Sequence, residues 1–69
     1  MKLHTAIKKI IKNIGSFIEI KIKEGQIDIY YYYDALTGEE LGKLYDLFHG
    51  YPLHLSTEDR FIVISIFGI

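Results

Sequence analysis

The side chains able to carry acid–base or metal chemistry in this 69-residue chain are few and scattered. His4, His49 and His54 alone titrate near neutral pH. No two of them share a helical face at i,i+4, and no His-Glu-x-x-His, aspartate-rich loop or Cys/His ligand spacing occurs. Cysteine is absent, which excludes disulfides and thiolate metal sites. The adjacent carboxylates Glu39–Glu40 and Glu58–Asp59 fall at an expected helix start and in an expected turn. Neither pair offers the contrasting environments that an acid and a base need. No Gly-x-Ser-x-Gly and no phosphate-cradling glycine loop is present. The expectation is a chain that is not an enzyme and uses no cofactor and no metal.

Binding is the remaining chemistry, and the elements decide which residues can take part. Leu3, Ile7, Ile10, Ile11 and Ile14 recur at helical spacing with lysines opposite, so a helix is expected over residues 3–14, started near His4 or Thr5 and ended by a left-handed Gly15. The period then becomes two. Ile18, Ile20 and Ile22 alternate with Glu19, Lys21 and Lys23. Glu24-Gly25-Gln26 is a turn, and the next strand places Ile27, Ile29, Tyr31 and Tyr33 opposite Asp28, Tyr30 and Tyr32. Thr37 and Glu40 have the spacing of a capping box, with Leu36 and Leu41 as its hydrophobic staple. Leu41, Leu44, Tyr45 and Phe48 form the expected inward stripe, and Gly50 closes the helix. A second hairpin follows: Leu53 and Leu55 in one strand, Ser56 to Asp59 as the turn, and Phe61 to Phe67 as the last strand.

The fold class is therefore α+β, an αββαββ chain of two αββ units in one domain spanning residues 1–69. The units echo one another at a spacing of 35 residues: Ile18 and Ile20 match Leu53 and Leu55, and Ile27 and Ile29 match Ile62 and Ile64. The second and fourth strands are apolar on both sides and read as central. The first carries lysines and the third carries Pro52 and His54, which read as edges. The resulting order is third–fourth–second–first, a four-stranded antiparallel-type sheet with both helices on one face and a middle pair that is parallel or antiparallel. In element order this resembles a circularly permuted ferredoxin-like sandwich.

The face away from the helices is then aromatic, carrying Phe17, Tyr30, Tyr32, Phe61, Val63 and Phe67, diluted by Glu19, Lys21, Asp28, His54 and Ser65. An apolar patch of that kind marks an interaction site. The expected function is a protein-binding module, self-associating as a homodimer or acting as an inhibitor or adaptor. The alternative is single-stranded nucleic acid stacking on the same face, with Lys21 and Lys23 as contacts. A net charge of −1 weighs against it. That charge is split: residues 1–23 carry six lysines against Glu19, and residues 24–59 carry eight carboxylates against Lys43. No apolar run approaches the ~20 residues of a bilayer span. Lys8, Lys9 and Lys12 also interrupt any signal-peptide core, so no membrane partner and a cytoplasmic location are expected.

Overall fold

The computed structural model describes residues 1–69 and consists of α1 (Leu3–Asn13), β1 (Glu19–Lys23), β2 (Gln26–Tyr32), α2 (Gly38–Leu47), β3 (Leu53–Glu58) and β4 (Phe61–Phe67). One four-stranded sheet has the order β1-β2-β4-β3, so the edges and the central pair are those that the lysines and apolar runs indicate. The middle pair is antiparallel, with Ile29 opposite Ile64. Its direction follows from connectivity. The α2 crossover returns the chain along β3 in the direction of β2, and the tight β3–β4 hairpin then reverses it.

The internal echo is geometric as well as textual. β2 and β4 are offset by 35 residues at both ends, and Ile29 faces its own equivalent, Ile64, across the ladder. An approximate two-fold axis thus passes between these two isoleucines and exchanges β1 with β3. Each unit alone would leave one sheet face and a helix stripe wet, and pairing the two buries both.

Both helices cover the side of the sheet that carries Ile27, Ile29, Tyr31, Ile64 and Ile66, which pack with Ala6, Ile10, Ile14, Leu44 and Phe48 into one cluster. In α1 the buried line is Ala6, Ile10 and Ile14, at successive i,i+4 steps. Leu3 and Ile11, expected inward, lie on its flanks at 41% and 61% exposure. In α2 the centre is Leu44 and Phe48, flanked by Leu41 and Leu47, so Tyr45 lies outside the stripe and is exposed. Truncating Ile10 or Ile64, both fully buried, to alanine would cost about 2–5 kcal/mol, through lost apolar burial and the cavity left behind. Neither helix is long and apolar enough to cross a membrane.

The termini of the helices differ from expectation in two places. Helix α1 does not end in a left-handed glycine. Ile14 is extended (φ −118°, ψ 129°), and the N–H groups of Gly15 and Ser16 donate to Glu40 Oε1 at 3.0 and 3.2 Å. That bond uses the carboxylate which the capping box would have turned back on Thr37. Half of the box remains, with the Glu40 N–H donating to Thr37 Oγ1 at 3.2 Å. Helix α2 does finish as read: Gly50 takes φ 90°, a conformation that glycine adopts without strain. The second hairpin is tighter than read. β3 runs on through Ser56, Thr57 and Glu58, and only Asp59 and Arg60 turn, with Asp59 at φ 57°.

Glu40 reaches further still. Its second oxygen and the Tyr31 hydroxyl are both buried without a hydrogen-bond partner of good geometry. Burial, and then the neighbouring Glu40 carboxylate, push Tyr31 well above the ordinary tyrosine value. In the folded state Tyr31 keeps its proton after the unfolded chain has lost it, so stability is intact below pH 10 and falls above it. Two outcomes are expected. Thr37→Ala lowers stability by about 0.5–2 kcal/mol through loss of the one cap bond, read from denaturation midpoints. Tyr31→Phe flattens the decline of those midpoints between pH 9 and 12, whereas an unchanged alkaline slope assigns the decline to other groups.

Candidate functional site

The sheet face away from the helices is ordered in cross-strand rows by the ladder register. At one end stand Tyr32, Phe61 and Glu58; next come Glu19, Tyr30, Val63 and Ser56; then Lys21, Asp28, Ser65 and His54; and last Lys23, Gln26 and Phe67. Five of the six expected contact residues therefore share this face. Phe17 does not lie in it, because it packs against the helix-side cluster. The reason is local. Ile18 N–H donates to the Tyr30 carbonyl at 2.8 Å although Glu19 already lies opposite Tyr30, so two residues face one and the alternation slips ahead of β1. Ile18, expected under the helices, is left 42% exposed.

The face is less open than its composition implies. Tyr30 and Val63 are buried, as are Asp28 and Ser65, by side chains that lie across the central strands. Lys21 Nζ sits 4.7 Å from the centre of the Tyr30 ring. Phe61 meets Tyr30 edge-on at 6.3 Å, and the Tyr30 hydroxyl donates a long, 3.5 Å bond to Glu58 Oε2. What stays accessible is the upper row. Tyr32 is half exposed and lies over Phe61, centroids 5.4 Å apart and tilted 34°, with exposed Tyr33 following it. Phe67, partly exposed, stands alone at the far end.

Two rows along the same face from Tyr32 and Phe61 lies a buried charge. Asp28 is 3% exposed and accepts from Gln26 Nε2 at 2.7 Å, while Lys23 Nζ approaches to 3.1 Å. Desolvation alone would raise its pKa, but hydrogen bonding by Gln26, by Ser65 across the ladder and by Lys23 outweighs it, and the carboxyl is held below its ordinary value. Asp28 in turn raises Lys23. Its position was readable from strand parity, but its burial was not, since Lys23 and Ser65 come to it from the two flanking strands.

Each of the two candidate nucleic-acid cations is thus engaged, Lys23 with Asp28 and Lys21 with the Tyr30 ring. Glu19, Asp28 and Glu58 also share the face, so it is not a cationic groove. The three histidines stand on separate elements: His4 opens α1, His49 follows α2, and His54 stands on β3 opposite Ser65. No set of three His, Asp or Glu side chains converges on a metal-sized space, and the surface holds no cavity. The chain matches no family model, no curated protein and no solved structure with which it has been compared.

The lowered pKa of Asp28 makes a stability statement. Its contribution is present above the unfolded value of 3.8 and is lost as pH falls through the lower folded value. Asp28→Asn is therefore expected to lower stability at pH 7 and to reduce the drop in denaturation midpoint between pH 4 and 2. An acid limb of unchanged steepness would show that the charge is not held by its neighbours.

Proposed function

We propose that this chain is a non-enzymatic protein-binding module, acting as an inhibitor or adaptor, whose working surface is the aromatic end of the open sheet face. The observation that carries this reading is the Tyr32–Phe61 pair, with Tyr32 half exposed and Phe61 partly so, at the end of a ladder that is otherwise buried on both sides. Aromatic side chains dominate interface cores because they add large contact area for few rotors. Here the edge-on Tyr30 beneath Phe61 also limits their freedom, so little conformational entropy is lost when a partner arrives. Tyr30, buried beside Phe61, serves as the support, and Tyr32 takes the contacting role. Phe67, Val63 and the Phe17 turn lie outside the accessible aromatic row.

Base stacking by single-stranded nucleic acid is the second reading, favoured by the half-exposed Tyr32 ring. The commitments of Lys21 and Lys23 leave it few cations to neutralise phosphates.

The deciding experiment is capture of partners from the native cell with the tagged chain, with and without nuclease, alongside Tyr32→Asp and Phe61→Asp. A nuclease-resistant protein partner lost in both variants, whose circular dichroism is unchanged, is the expected result. Binding of a single-stranded oligonucleotide at physiological salt is expected to be weak. Tight binding that Tyr32→Ala abolishes overturns the protein reading in favour of nucleic acid.

A further inference from the structure

Strand β3 is paired on one side only. Its hydrogen-bonding phase is fixed at its start, where Phe67 N–H donates to the Pro52 carbonyl at 3.0 Å. Main-chain groups alternate in direction along an antiparallel ladder. Those of His54, Ser56 and Glu58 therefore point to β4, and those of Leu53, Leu55 and Thr57 point out of the sheet edge.

The opposite edge is defended and this one is not. β1 has five residues and flanks its outward groups with Lys21 and Lys23, and both shortness and lysine discourage pairing with another chain. The approximate two-fold axis places Ser56 and Glu58 at the positions of those lysines. β3 contains no lysine, no proline and no bulge, and its middle residue, Leu55, is 41% exposed on the helix side.

We propose that a second copy of this chain docks on β3, edge to edge and antiparallel, about a two-fold axis at Leu55. In that register each Leu55 faces its counterpart, and Leu53 of either copy faces Thr57 of the other. Every outward N–H then meets an outward carbonyl. The charges agree with this arrangement. His54 of one copy falls diagonally across from Glu58 of the other, a separation of roughly 7–8 Å that side chains span. The two Glu58 carboxylates lie six residues apart along the sheet, roughly 20 Å. A parallel pairing would instead bring them together. Pairing β1 with β1 would oppose lysines, and pairing β1 with β3 would propagate as a filament, whereas β3 with β3 closes. The axis stands perpendicular to the sheet, so both aromatic faces remain open on one side. The proposal is independent of what binds them.

Sedimentation equilibrium of the full chain, with amide exchange followed by NMR, tests it. A dimer is expected at high micromolar concentration, with the amides of Leu53, Leu55 and Thr57 at least tenfold slower than in the dilute monomer. Leu55→Lys and Thr57→Pro should be monomeric with unchanged circular dichroism, the latter because an outward N–H can be lost without harm to the monomer. Tyr32→Asp should remain a dimer. A wild-type monomer throughout, a dimer whose three amides exchange freely, or a dimer that survives both edge variants overturns the proposal. Loss of the dimer in Tyr32→Asp but not in Leu55→Lys overturns it too, by placing the second copy on the open face.

Discussion

The ladder between β2 and β4 joins residues distant in the chain, Ile29 with Ile64 at its centre, and each of the other elements is arranged against it. Its helix side supplies Ile27, Ile29, Tyr31, Ile64 and Ile66 to the cluster, and its other side supports Tyr30, Val63 and Asp28. A strand pair buried on both faces must be placed centrally, which leaves the polar β1 and β3 at the edges. The two hairpins are local and form without long loop closure, but the central pairing is not, so the joining of the two αββ units is the step that costs the most chain entropy. That joining also sets the approximate two-fold axis, and with it which residues of the two units become equivalent and which diverge.

The helical layer is tied to this ladder by one carboxylate. Glu40 belongs to the first turn of α2, receives the main-chain N–H groups of Gly15 and Ser16 after α1, and abuts the Tyr31 hydroxyl of β2. It joins three segments that are distant in sequence. The Tyr31 ring is fully buried, and its hydroxyl and the second Glu40 oxygen lack hydrogen-bond partners of good geometry, so this junction carries a desolvation cost. The same carboxylate could have completed the capping box, but its Oε1 instead accepts from the two N–H groups of the turn after α1.

Most of this architecture was legible because amphipathic period, glycine placement and lysine-bearing edges all report on burial. Thr37 marked its helix start, and Gly50 its helix end, through purely local bonds. The misreadings have tertiary causes. Ser56, Thr57 and Glu58 look like loop, yet β4 pairs with them in full register, and they can be polar on both sides because the helices do not reach over β3. Tyr45 looked inward because helical spacing alone does not fix the phase between Leu44 and Leu47. Phe17 left the aromatic face through an extra residue at Ile18, which alternation cannot foresee. The candidate site was legible as a set of aromatics on one face. Its division into a covered middle and an accessible end was not, since that depends on how Lys21 and Lys23 of β1 reach over Tyr30 and Asp28 of β2.

The buried Asp28 also guards against mispairing during assembly. Side chains alternate with a period of two, so sliding β2 by one residue against β4 would turn Asp28 inward beneath α1 and α2. There it would lose Ser65 and lie, with Gln26, among isoleucines under the helices, where taking a charge out of water costs several kcal/mol. An all-isoleucine ladder would accept many alignments nearly equally well. A single carboxylate near its middle makes one alignment much cheaper than its neighbours, so the repetitive strands of this chain carry their own check on correct assembly.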